Sequence, residues 1–200
     1  MKIHSVEYAG TIAAPGGAAP GSLPQIAFSG RSNVGKSSLI NTVLRRTRSK
    51  IARVSATPGK TRAINFFLVN DLFFLVDLPG YGYARAPEKV RDAWGELIDW
   101  YLGKSGLVRG LVHLVDARRD PTPHDLRMIA YLSELAIPAL VVLTKMDKLK
   151  KRERAAAMKR TSEGLEIPED QIVPFSSKTG EGREELLMAL EELVESAGSV

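Results

Sequence analysis

From residue 25 onward the chain alternates short apolar runs with longer segments in which apolar residues recur every three or four positions. Residues 25–29, 63–69, 72–76, 111–115, 139–143 and 172–175 are apolar or alternating runs of strand length. Asn70 and Asp71 join the second run to the third, and that dipeptide suits a tight hairpin turn. Residues 37–44, 89–102, 125–135, 148–160 and 184–194 carry the helical period. In the second of these, Trp94, Leu97, Ile98 and Tyr101 follow the i, i+3, i+4, i+7 spacing, which assigns them to core packing rather than to base stacking. Strand alternating with helix predicts an α/β fold of three layers, a six-stranded, mostly parallel sheet with helices on both faces. Gly and Pro break up residues 13–24, which read as a loop. Residues 1–24 are therefore set aside as an N-terminal extension, with 25–200 as a single domain and no internal repeat.

Composition narrows the function classes. Two hundred residues suit one domain, and there is no cysteine, which excludes disulfides, thiolate metal sites and thiol catalysis. Lys2 is followed by no apolar stretch of the signal-peptide kind, and no run of about 20 apolar residues could span a membrane. A cytoplasmic protein without a membrane partner is expected. His4, His113 and His124 lack metal-ligand spacing, and no catalytic role is assigned to them. The net charge of +5 is uneven. Arg45, Arg46, Arg48, Lys50, Arg53, Lys60 and Arg62 fall in one stretch without an acid, and Lys148, Lys150, Lys151, Arg152 and Arg154 form a second. Glu181, Glu184, Glu185, Glu191, Glu192 and Glu195 tilt the C-terminal segment the other way. The asymmetry suggests a polyanionic partner on one side, the plainer reading being two solvated faces.

Chemistry is concentrated at strand ends. Gly30, Arg31, Ser32, Asn33, Val34, Gly35, Lys36 and Ser37 fit the phosphate-binding pattern G-x-x-x-x-G-K-[ST] between an expected strand and an expected helix. Such a loop turns several N–H groups toward one phosphate, with the helix N-terminus adding to the attraction. Lys36 would reach the β- and γ-phosphates, and the Ser37 hydroxyl would ligate Mg²⁺. Asp77, Leu78, Pro79 and Gly80 end another apolar strand, where Asp77 could hold Mg²⁺ through water and the Gly80 N–H could meet the γ-phosphate. Thr144, Lys145, Met146 and Asp147 match [NT]-K-x-D. A carboxylate there can accept from guanine N1–H and the 2-amino group, a donor pair that adenine lacks; taken singly, Asp147 is equally a helix cap. Ser176, Ser177 and Lys178 fit the looser Ser-Ala-Lys pattern, whose backbone N–H meets guanine O6. Each later pattern is ordinary alone, but in this order and at strand ends they jointly imply a guanine-nucleotide site binding GTP and GDP.

The full set resembles the EngB family, also called YihA or YsxC, within the TrmE-Era-EngA-EngB-septin-like GTPases. The resemblance rests on Gly-Arg-Ser-Asn-Val-Gly-Lys-Ser-Ser at 30–38, Thr-Pro-Gly-Lys-Thr at 57–61, Asn65-Phe66-Phe67 and Asp-Leu-Pro-Gly-Tyr-Gly-Tyr-Ala at 77–84, and it covers residue 25 to the C-terminus. It implies a P-loop NTPase of the Ras-like G-domain type, a GTPase acting in bacterial large ribosomal subunit assembly and needed for cell division and septation. Ribosomal RNA and large-subunit precursor particles are the implied partners; a monomeric chain is expected. The family pattern makes Thr61 the switch-I threonine on Mg²⁺, with Thr57 as the alternative and Gly59 beside the phosphates. Residues 45–61 would be switch I and 78–91 switch II. Asn33 stands where potassium-activated relatives place a K⁺ ligand, so K⁺ is a second candidate cofactor.

Tyr81 follows Gly80 where a water-orienting glutamine stands in Ras-type proteins. Intrinsic turnover nearer about 10⁻⁴ than 10 per second is therefore expected, unless K⁺ or the ribosome completes the site. The alternative function is an RNA-binding assembly factor in which nucleotide is mainly structural. A membrane-linked septation regulator has no lipidation signal or amphipathic anchor to support it.

Overall fold

The computed structural model describes residues 1–45, 63–81, 88–104 and 106–195, with backbone alone at 88–94. Its elements run β1 (Val6–Ile12), β2 (Gln25–Gly30), α1 (Lys36–Val43), β3 (Ile64–Val69), β4 (Phe73–Asp77), α2 (Glu88–Lys104), β5 (Val108–Asp116), α3 (Pro123–Glu134), β6 (Ala139–Thr144), α4 (Lys151–Leu165), β7 (Ile172–Pro174) and α5 (Arg183–Glu195). All six strands expected from periodicity are present, and the α/β class holds. Among the described residues the sheet nevertheless has seven strands, in the order β1-β3-β4-β2-β5-β6-β7. β1 lies within the segment set aside as an extension, and it pairs antiparallel with β3. Its apolar signal is weak because it is an edge strand, with only Val6 and Ile12 buried. Both positions are even, so in a regular strand they would share a face. The register shift between Tyr8 and Gly10 reverses that parity, sending Val6 into the core on one face of the sheet and Ile12 into the other.

The hairpin between β3 and β4 turns at Asn70 and Asp71, whose φ angles of 52° and 57° are the left-handed pair a two-residue turn requires. Asn70 does more than turn the chain. Its Oδ1 accepts from the N–H groups of His4 at 2.7 Å and Ser5 at 3.1 Å, and its Nδ2 donates to the Lys2 carbonyl at 2.7 Å. The hairpin thus holds the segment leading into β1. Asn70→Ala should cost about 2 kcal/mol, from three lost hydrogen bonds and a Cβ residue left in the left-handed region. Urea unfolding monitored by circular dichroism would read this as a lower midpoint. An unchanged midpoint would mean that β1 docks without this tie.

Three apolar clusters cover the sheet. Leu39, Ile40 and Val43 of α1 pack with Leu186, Leu187 and Leu190 of α5 against Phe28 and Val112. Leu97, Ile98 and Tyr101 of α2 pack with Met128 and Leu132 of α3 against Ala27, Phe66 and Leu111. The expected core role of this stripe is met at those three α2 positions; the Trp94 side chain lies outside the described residues. Ala157 and Leu165 of α4 close over Val141, Leu143 and Ile172. No described helix is long and apolar enough to cross a membrane.

β2 is flanked in parallel by β4 and β5, so the chain departs to opposite sides of the central strand. A crevice forms beyond the carboxyl ends of strands at such a switch point. The loop after β2 opens into it.

Candidate functional site

Strain and close approach shape the loop between β2 and α1. Asn33 (φ 64°) and Gly35 (φ 110°) are both left-handed, which turns successive N–H groups to the inside of the loop. Gly35 is the N-cap of α1, where no side chain caps the helix and no acid lies in the first turn. The first amides of a helix have no partner within it, so this end offers several aligned donors to an anion. Lys36, in the first turn, forms an ion pair with Asp77 at the end of β4. Both side chains are largely buried, at 10% and 8% exposed. A phosphate and a divalent cation would fit this pair by exchange, the phosphate accepting from Lys36 and the cation taking Asp77. Hard oxygen donors such as the Asp77 carboxylate and the Ser37 hydroxyl suit Mg²⁺.

Beside the loop stands Gly80, between Asp77 and Tyr81. A Cβ there would lie 3.3 Å from both the N and Cα atoms of Ser32 and 3.4 Å from the Gly30 carbonyl, so a larger residue would push the two segments apart by a few tenths of an ångström. Tyr81 continues the contact through its backbone. Its carbonyl accepts from Ser32 N–H at 2.9 Å, and its own N–H reaches the Gly30 carbonyl at 3.4 Å.

The other end of the crevice is joined to the loop by Lys145. This residue is itself left-handed (φ 62°), which swings its side chain back over the loop. Its Nζ donates to the Asn33 carbonyl at 2.7 Å and to Asp116 at 2.9 Å. Thr144 is buried, and its hydroxyl is committed to the Val34 carbonyl at 2.8 Å and the Val115 carbonyl at 3.0 Å. It braces the loop. Asp147 is held from below, since the Ser176 hydroxyl donates to its Oδ1 at 2.9 Å. Burial opposes charge on Asp147, yet the Ser176 hydrogen bond and Lys148 outweigh it and keep the carboxyl below its ordinary range. Ser176 Oγ also accepts from the N–H groups of Lys178 at 3.3 Å and Thr179 at 3.2 Å. Ser177 lies between Ser176 and Lys178 in the chain.

The structure therefore gathers Gly30 to Ser37, Asp77, Gly80, Thr144, Lys145, Asp147 and Ser176 to Lys178 along one edge of the sheet. Thr57, Gly59 and Thr61 lie outside the described residues, as does the basic stretch from Arg46 to Arg62. Of the second basic run, Lys148, Lys150, Lys151 and Arg152 are exposed, whereas Arg154 pairs with Glu181 at 2.7 Å.

Two features escaped sequence reasoning. Asp116 ends β5 and ties Lys145 to Arg118, whose Nε and Nη2 reach its two oxygens at 2.9 and 2.8 Å. Burial opposes its charge, but Arg118 and Lys145 hold the carboxyl well below the usual range. The signal that singled out Asp77, a carboxylate closing an apolar strand, was present at Asp116 as well. Arg31, Asn33, Asp116, Arg118, Asp125 and Lys145 line a groove of about 300 Å³ on this side of the loop.

The second feature is a buried polar network around Tyr81, which is 5% exposed. Its hydroxyl donates to Asp125 and lies 3.2 Å from His113 Nε2, and its ring stacks on the imidazole at 6.0 Å and 7°. His113 Nε2 is 3.0 Å from Asp125, and its Nδ1 is 2.8 Å from the Ser29 hydroxyl. An ionised carboxylate only accepts, so the partners place the imidazole hydrogen on Nε2, with Ser29 donating to Nδ1. Burial opposes charge on Asp125, but hydrogen bonds from His113, Thr122 and Tyr81 prevail and hold it well below the usual carboxylate range. Burial, with Asp125 alongside, pushes the Tyr81 phenol far above its ordinary value, so the hydroxyl stays a donor. The three residues are distant in sequence and no spacing rule links them. The Tyr81 hydroxyl is thus taken up by Asp125 and His113.

Comparison with known proteins agrees with this geometry. Residues 25–145 match the family described as 50S ribosome-binding GTPase, and residues 104–196 match the GTP-binding domain of elongation factor Tu. A probable GTP-binding protein EngB of Gemmatimonas aurantiaca is 49% identical over 97% of the chain and 95% of its own length. Its counterpart from Desulforamulus reducens is 45% identical over 99% of the chain and 97% of its own length. Among solved structures, a crystal structure of a probable GTP-binding protein EngB superimposes with a TM-score of 0.70 at 28% identity, covering 86% of the chain and 99% of that structure. Era in complex with MgGDPNP and nucleotides 1506–1542 of 16S ribosomal RNA shares the fold, with a TM-score of 0.66 at 22% identity over 86% of the chain and 57% of its own.

Proposed function

Because this chain belongs to the EngB family of GTP-binding proteins, and is accordingly a GTPase, we propose that it is a nucleotide-dependent switch in assembly of the large ribosomal subunit. The observation that carries the site assignment is the buried Lys36–Asp77 pair beside a helix N-terminus that no side chain caps. In this reading the N–H groups of Asn33 and of residues 35–38 cradle the phosphates, and Lys36 leaves Asp77 for the β- and γ-phosphates. When bound with the nucleotide, Mg²⁺ neutralises developing charge on the phosphates; Ser37 and Asp77, the latter through water, would hold it, with Thr61 as the switch-I contribution. Gly80 N–H donates to the terminal phosphate. Asp147 accepts from guanine N1–H and the 2-amino group, its direction set by Ser176, while Ser177 N–H meets O6 and the Lys145 stem lies along the base. Asn33 is the candidate K⁺ ligand.

Hydrolysis then proceeds slowly, because the residue after Gly80 cannot orient water. The Tyr81 hydroxyl is committed to Asp125. Turnover near about 10⁻⁴ per second fits a site in which positioning of the water is left to K⁺ or to the ribosomal partner. The ribosomal role is supported by the name of the matching family, 50S ribosome-binding GTPase, and by the basic rim of Lys148, Lys150, Lys151 and Arg152 beside the base site. A link to cell division would follow from impaired ribosome supply.

Two measurements test this. Titration with labelled GTP, GDP and ATP should show binding of both guanine nucleotides and none of ATP, with faster hydrolysis in K⁺ than in Na⁺. Equal ATP binding would overturn the guanine site. Sedimentation with large-subunit precursor particles should retain the form loaded with a non-hydrolysable GTP analogue and release the GDP form, with retention falling steeply as salt rises. Equal retention of both forms at every salt concentration would refute the switch.

A further inference from the structure

Three elements converge on the one residue that follows Gly80. Ser29 on β2 holds His113 on β5, and the capping box of α3 holds Asp125, whose Oδ2 accepts from Thr122 N–H and Thr122 Oγ1, each at 2.6 Å. Both then grip the Tyr81 hydroxyl. At the same time the Tyr81 backbone is paired with the phosphate loop on both sides, to Ser32 and to Gly30. Gly80 is therefore anchored immediately downstream and packed so closely on Ser32 that an added Cβ would lie 3.3 Å from its backbone.

We propose that Tyr81, gripped by Asp125 and His113, is a positioning residue that fixes Gly80 against the phosphate loop and so sets the preference of the site for a triphosphate over a diphosphate. The proposal rests on the reading of Gly80 N–H as the donor to the terminal phosphate. Only that phosphate reaches Gly80, so a placed donor strengthens triphosphate binding and leaves diphosphate binding alone. A donor held in place by surrounding structure adds more affinity than one that must be ordered on binding. A polar network serving the core alone would affect both nucleotides equally.

The test compares affinities for GDP and for a non-hydrolysable GTP analogue, with fluorescent nucleotides, in the full chain and in Tyr81→Phe, Asp125→Asn and Gly80→Ala. Tyr81→Phe keeps the ring and its stack on His113, removes one hydroxyl, and leaves Asp125 its donors from His113 and Thr122. The expected result is about a tenfold loss for the triphosphate analogue and less than about a twofold change for GDP. Asp125→Asn should show the same split. A folded Tyr81→Phe protein with both affinities unchanged, or both lowered alike, would overturn the clamp. Should Asp125→Asn fail to fold, as thermal unfolding would report, Tyr81→Phe decides alone. If Gly80→Ala also left the two affinities in their original ratio, the fault would lie in the reading of Gly80; if it shifted the ratio and Tyr81→Phe did not, the clamp itself would be wrong.

Discussion

Lys36→Ala is expected to lower affinity for GTP and GDP by at least about a hundredfold, and to destabilise the protein when no nucleotide is present. The first effect follows from losing charge-assisted bonds to two phosphates, each worth about 1.5–3 kcal/mol. The second follows from the structure: Lys36 is the ion-pair partner of Asp77, whose side chain is 8% exposed. Removing one member of a buried pair leaves a carboxylate without its counter-charge, at a cost of about 3 kcal/mol. Calorimetric titration would read the first effect, and thermal unfolding without nucleotide the second. Lys36→Arg would separate charge from shape, since a planar fork on a three-carbon stem keeps the positive charge but cannot place a compact ammonium between two phosphates. It should restore much of the stability and little of the affinity. Nucleotide binding that survived Lys36→Ala within about threefold would remove the phosphate loop from the mechanism.

Asp147→Asn should lower guanine-nucleotide affinity by about 10²–10³-fold and bring in binding of xanthine nucleotides. The carboxylate accepts from two donors of guanine at once, and an amide offers one oxygen and presents its own N–H to the other donor. Leaving donors unpaired in a closed site costs about 1–3 kcal/mol each. Xanthine carries a carbonyl where guanine has its amino group, so the amide N–H then has a partner. Ser176 donates to Asp147 Oδ1 at 2.9 Å and can donate equally to an amide oxygen, which makes the substitution a change of chemistry rather than of geometry. Competition binding with GDP, xanthosine diphosphate and ADP would check this. Retention of guanine preference would show that Asp147 does not read the base.

Much of this was written in the order of residues. The glycines and Lys36 of the loop, Asp77 and Asp147 all stand at the ends of apolar runs, and in a parallel sheet such ends lie side by side. Pattern found six of the strands and the five α-helices of the described residues, because burial on one face imposes a repeat of two or of about 3.6 and burial on both faces of a strand gives a continuous apolar run. β1 escaped because an edge strand with a bulge buries only Val6 and Ile12, which leaves no regular repeat to detect.

Tertiary structure alone decided what the side chains at those ends do. Thr144 fits the guanine pattern by position, yet its hydroxyl is spent on two carbonyls and braces the loop. Tyr81 occupies the place where a water-orienting residue would stand, and its direction was undetermined until His113 and Asp125, 32 and 44 residues further on, were seen to close on its hydroxyl. Local sequence determines which backbone turns and strand ends form, because those depend on residues within a few positions of one another. The partner of a buried polar group is chosen by whatever the packed sheet and helices bring within 3 Å, and that distance has no counterpart along the chain.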